Sequence, residues 1–166
     1  MPFIGLLVEK KGEQVIRDFL TKHLKASNDK IIHINEKTIE NVKHISFETI
    51  VVGKEISLDK MEIFKTMLQK ATYIVVHADL KNVFSSLEKI NGVLITYGFN
   101  SKATITASSV TEDEIMICLQ RNLINNYGEK IEAQEFSIHV DQTKEDPNDI
   151  MAAYAITLIY QKDKII

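Results

Sequence analysis

Residues 4–20 read IGLLVEKKGEQVIRDFL, and within them the spacing of the apolar residues changes. Phe3 to Val8 is a continuous apolar run, the pattern of a short strand buried on both faces. Val15, Ile16, Phe19, Leu20 and Leu24 then recur at helical spacing, with Arg17, Asp18, Thr21 and Lys22 on the other side. A strand feeding straight into a helix is the opening of a βαβ unit, and the chain continues in kind. Ile31 to Ile34 reads as a second strand and Ile45 to Val52 as a third, broken by Gly53. Ser57 stands where a helix cap belongs, ahead of an apolar stripe of Met61, Phe64 and Leu68 that reads as core. Tyr73 to Val76 is the clearest strand and ends in His77-Ala78-Asp79. A short helix with Val83, Phe84 and Leu87 follows, stopped by Asn91-Gly92, and Val93 to Tyr97 is another strand.

Strands alternating with helices at this spacing predict a parallel sheet with right-handed crossovers and helices on both faces. The pattern changes after Gly98. Thr104 to Val110 and Glu114 to Leu119 read as strands around the turn Thr111-Glu112-Asp113, and Gln134 to Val140 alternates with Phe136, Ile138 and Val140 on one face. No helix separates them, so an antiparallel extension is expected. Asp146 and Pro147 fit the N-cap and first position of a last helix, whose apolar face is Ile150, Met151, Tyr154, Leu158 and Ile159. No repeat, low-complexity run or linker divides the chain. The expectation is a single domain over residues 1–166: a three-layer α/β sandwich with a mostly parallel sheet and an antiparallel C-terminal extension.

The bulk numbers restrict function. At 166 residues and 45% hydrophobic the chain can build one substantial core. Its 20 basic and 23 acidic residues nearly cancel and are scattered, which argues against nucleic-acid or anionic-membrane binding. No apolar stretch approaches the ~20 residues of a membrane span. The start of the chain lacks the pattern of a signal peptide. Cys118, alone and within an apolar run, reads as a buried thiol in a reducing compartment, so a cytoplasmic protein is expected. The five histidines are dispersed, and no metal site is expected. Ser108-Ser109 lacks a nucleophile elbow, and Glu112-Asp113-Glu114 reads as a solvated hairpin tip.

Two stretches together resemble the central domain of the Mur ligases. Residues 71–110, ATYIVVHADLKNVFSSLEKINGVLITYGFNSKATITASSV, are similar to a strand ending in Asn-Ala-Asp, a helix, a strand ending in Tyr-Gly and an Ala-rich β segment. Residues 147–160, PNDIMAAYAITLIY, resemble the family's closing helix with its Asn-Ala-Leu-Ala-Ala type motif. The opening stretch then lies where the family has its phosphate loop. The resemblance implies a P-loop-like fold and an ATP-dependent ligase that forms peptide bonds through an acyl phosphate in peptidoglycan synthesis.

The chemistry of that family is not carried over residue by residue. Its loop, Gly-Thr-x-Gly-Lys-Thr, falls on Val8-Glu9-Lys10-Lys11-Gly12-Glu13. Glycines let consecutive backbone N–H groups close on phosphate, and a lysine meets the β/γ charge. Here Val8 and Lys11 replace the glycines and Glu13 takes the hydroxyl position, or the lysine position in a register slipped by one. The family's magnesium-binding His has no match, and Glu48, the nearest candidate for its glutamate, reads as a strand residue. His77 replaces the asparagine before Ala78-Asp79. The position that would meet adenine falls at Asp149, or at Asn148 one residue earlier. The family's flanking UDP-sugar and amine-bearing domains are absent from the chain.

The expectation is a degenerate, non-catalytic relative without cofactor or metal: a pseudoenzyme serving as a binding or regulatory module linked to cell-wall synthesis. The alternative is a small-ligand site or enzyme remodelled at the strand carboxyl ends, where open α/β sheets bind ligands. Lys10, Lys11, Gly12, His77, Asp79 and Asn148 are the candidate ligand-binding residues. The partner is an unidentified protein or small ligand, and a homodimer is a further expectation.

Overall fold

The computed structural model describes residues 2–25, 28–141 and 144–162. The first strand, β1, spans Ile4–Leu7 and is buried along its length. Val8 and Glu9 alone join it to α1, Lys10–Leu24. Strand β2 follows at Ile31–His33, and β3 at Thr49–Val52. Between them lies a short helix, α2, at Ile39–Val42. Helix α3, Met61–Lys70, leads to β4, Tyr73–His77, and helix α4, Lys81–Ser85, leads to β5, Val93–Tyr97. The antiparallel part consists of β6, Ile105–Val110, β7, Glu114–Leu119, and β10, Gln134–His139. A small hairpin, β8 at Leu123–Ile124 and β9 at Lys130–Ile131, interrupts it. Helix α5, Pro147–Tyr160, is the last element.

Eight strands form one sheet in the order β10-β7-β6-β5-β4-β3-β1-β2. Its first five strands are parallel and follow the doubly wound order 2-1-3-4-5, which reverses direction between β1 and β3. Helices cover both faces. Leu7, Ile50, Val52, Ile74 and Val76 point toward α3 and α4, whereas Leu6, Val8, Val51, Val75 and Tyr97 point toward α1 and α5. The fold is therefore the expected three-layer α/β sandwich with an antiparallel end. Among the described residues no helix is long and apolar enough to cross a membrane.

Strand β6 is parallel to β5 without a crossover helix, because only Tyr97 and Ile105 face each other. The chain changes lane where β5 stops, so the dozen or more residues of a full crossover are not needed. A bulge between Ala107 and Ser109 then sets Ser108 outside the ladder, and bulges bend and twist a strand. The antiparallel end closes over α5, so that Ile115, Ile117, Ile138 and Val140 share one core with β1, β3, β4 and β5. The last helix is consequently buried on all sides from Ile150 to Tyr160, where its sequence shows only one apolar face. Asp146 caps it as expected, accepting from the Asn148 N–H at 2.8 Å, with Pro147 in the first turn. At its other end the Tyr160 hydroxyl meets the Thr49 hydroxyl at 2.6 Å, tying α5 to the foot of β3.

Four local expectations are corrected. Helix α4 ends at Ser85, and Gly92 serves instead a close approach. A Cβ there would stand 2.6 Å from the Ala71 carbonyl oxygen and 2.8 Å from that of Thr72. Ser57 makes no side-chain cap; it precedes a 3-10 turn, Leu58–Lys60, that opens α3. Cys118 is not in the core: β7 places it on the outward face, half-exposed, with Sγ 3.3 Å from a Glu135 carboxylate oxygen. Glu48 stands one residue ahead of β3, where its backbone accepts from the N–H groups of Thr72 and Tyr73.

Candidate functional site

Helices α1 and α5 both start at the carboxyl ends of the strands, and their first turns abut. Gly12, the third residue of α1, is buried, and a Cβ on it would lie 2.5 Å from Asp149 Oδ1. Asp149 occupies the third position of α5, so the turn of each helix nearest a would-be ligand is filled by the other. A loop that wraps phosphate needs several residues between strand and helix, and here there are Val8 and Glu9. Gly12 lies within the helix, where it permits close helix packing.

The other residues of the opening turn separate. Lys10 and Lys11 are exposed in the first turn of α1. Glu13, placed by the sequence against a polyphosphate, instead turns toward β2. Its carboxylate accepts from Arg17 Nε at 2.9 Å and stands 3.4 Å from His33 Nδ1, while His33 Nε2 donates to the Val8 carbonyl at 2.9 Å. Arg17 continues the strap to the carbonyls of Asn28 and Ile31. Glu13 is thus a bracket between helix and strand.

At the end of β4, the Asp79 N–H donates to His77 Nδ1 at 3.1 Å. That bond places the ring proton on Nε2, which donates to Asn148 Oδ1 at 3.1 Å. The His77 ring stands edge-on to Tyr97, with centroids 5.2 Å apart. The structure therefore brings His77 and Asn148 together with Gly12's neighbour Asp149, and it leaves the Asp79 carboxylate exposed. Tyr97 and Asp149 were not among the sequence candidates, apart from the adenine position assigned to Asp149. Their partners lie far away in the chain, so no local pattern marks them.

At the switch point Tyr97 reaches across to the ends of β1 and β3. A Cβ on Gly53 would lie 2.9 Å from both the Tyr97 hydroxyl oxygen and Val8 Cγ1, and Tyr97 and Val8 are each 2% exposed. Burial and the nearby Asp149 and Asp146 carboxylates push the Tyr97 hydroxyl up, so it carries its proton throughout the ordinary pH range. Asp149 is half-buried, and burial together with Asp146 pushes its carboxyl up to about 6, partly offset by Lys11. Among the described residues no three His, Cys, Asp or Glu side chains converge as a metal site. No known protein family matches the chain, and no curated protein matches it.

Proposed function

We propose that this chain is a non-catalytic relative of the Mur ligase central domain that acts as a binding or regulatory module and takes no nucleotide at its strand ends. The observation that carries the reading is the contact between Asp149 and Gly12 beyond a turn of two residues. A triphosphate brought there meets a carboxylate and no loop of N–H groups, and losing charge-assisted contacts costs about 1.5–3 kcal/mol each. The resemblance of residues 71–110 and 147–160 is the reason to seek partners in cell-wall synthesis.

A thermal-shift screen with ATP, GTP, UDP-sugars and muramyl peptides tests it. A ligand at about a hundredfold excess over its Kd adds about 2.7 kcal/mol of stability. The expected result is no shift with nucleotides. A nucleotide shift lost in a Lys11→Ala variant refutes the reading.

A second reading keeps the strand ends as a remodelled small-ligand site around His77, Asn148 and Asp149. It is favoured by the raised carboxyl of Asp149, since displaced titrations concentrate at functional sites. It requires a shift in the same screen that His77→Ala removes.

A further inference from the structure

Strand β10 ends the sheet, and among the described residues no strand pairs with its outer edge. The Val140 N–H donates to the Asp113 carbonyl at 2.9 Å, and the register runs back through Ile138↔Ile115 and Phe136↔Ile117 to Gln134↔Leu119. Antiparallel pairing alternates, so the even-numbered residues turn their backbone groups to β7. Glu135, Ser137 and His139 therefore turn their N–H and C=O groups to the free edge. Such an edge is a template for another strand, and proteins commonly blunt it with lysine or proline. Residues 134–139, QEFSIH, contain neither.

Beside this edge lies a cavity of about 470 Å³, walled by β10 on one side and by α1 on the other. Phe136 and Ile138 line it from β10, Phe19, Lys22 and His23 from α1, and Tyr154 from α5. The Phe136 and Tyr154 rings are 5.1 Å apart, and the Tyr154 hydroxyl is buried without a hydrogen-bond partner among the described residues. At the α1 rim, Lys22 makes no ion pair among the described residues, and His23 stacks on Phe19 with centroids 4.2 Å apart. Helix α1 faces β10 across this space, and Lys22 at its rim offers a charge to an acidic segment.

We propose that this slot takes an extended peptide segment, which adds as a strand to the free edge of β10, places alternate apolar side chains among Phe19, Phe136, Ile138 and Tyr154, and sets an acidic group against Lys22. Main-chain bonds then supply affinity and alternate side chains supply selection, as in other strand additions. The site is remote from the strand carboxyl ends, and it stands whether or not nucleotide binding has been lost.

The probe is a labelled six-residue peptide of alternating valine and threonine ending in glutamate, followed by fluorescence anisotropy. Its comparison is the same peptide with N-methyl groups on the amides of one edge, which cannot pair. The expected result is binding to the native protein that weakens at least about tenfold on N-methylation and also in Ser137→Pro, where only an outward N–H is removed. Lys22→Glu is expected to weaken the peptide several-fold and to spare a version ending in glutamine. If Ser137→Pro fails to fold, the N-methyl comparison and Lys22→Glu decide. Equal binding of the N-methylated peptide, or none up to about 5 mM, overturns the proposal. So does a dimer, seen by light scattering, that the free edge of β10 forms with a second copy and that Ser137→Pro dissolves.

Discussion

Replacing Asp149 with asparagine is expected to stabilise the protein, and to do so only above the pH at which the carboxyl ionises. The carboxyl lies against Gly12 between two helix starts, and its pKa is pushed from 3.8 to about 6, chiefly by burial and secondarily by Asp146. Below about pH 3 the group is protonated in both states and contributes nothing. Between about pH 4 and 6 the unfolded chain releases its proton while the native state holds it, so stability falls as pH rises; above 6 the loss is constant. At about 1.36 kcal/mol per tenfold step the full displacement corresponds to about 3 kcal/mol, and solvent screening of the exposed part reduces it to about 1–2 kcal/mol. Asparagine keeps the shape of the neutral acid and cannot ionise. Urea denaturation at about pH 7.5 should therefore show Asp149→Asn more stable by about 1–2 kcal/mol, with the difference shrinking through pH 4 and gone by about pH 3. In a chain of this length each kcal/mol raises Tm by about 2–4 °C. A variant no more stable than the native protein at pH 7.5, or a difference independent of pH, refutes the reasoning about this contact.

Three further substitutions probe the packing. Gly92→Ala should cost about 1–3 kcal/mol, because its Cβ meets backbone carbonyls of Ala71 and Thr72 that cannot step aside; chemical denaturation measures it. Tyr160→Phe removes the partner of the buried Thr49 hydroxyl and should lower stability by about 1–3 kcal/mol, read as a drop in Tm. Tyr154→Phe deletes a buried hydroxyl that has no partner among the described residues and should raise Tm, by an amount corresponding to about 1 kcal/mol.

The layers of the fold were legible because each rests on a local pattern. The strand from Ile4 and the helical stripe of Val15, Ile16, Phe19 and Leu20 are both written in consecutive residues, as is the cap Asp146-Pro147. Boundaries were less so: Ile45 to Glu48 looks as strand-like as Thr49 to Val52, yet only the latter is paired in register with both β1 and β4. The enclosure of α5 was not legible, since it depends on β7 and β10 folding across a helix that comes later in the chain. Of the site, the sequence located the end of β4 and the start of α5, and the bond between His77 and Asn148 joins them across 71 positions. It could not show that Asp149 covers Gly12, or that Glu13 turns away to Arg17 and His33. Those contacts are set by how two helices meet on the sheet. The slot between α1 and β10 is of the same kind, assembled from Phe19, Phe136 and Tyr154 with no shared local signal.

The most direct test of the central claim is an amide NMR titration of the intact protein with magnesium ATP, following Lys11, Gly12, Gly53 and Asp149. With Asp149 seated on Gly12, those resonances should stay in place up to about 1 mM nucleotide. A saturable shift centred on Lys11 and Gly12 at micromolar nucleotide would contradict it.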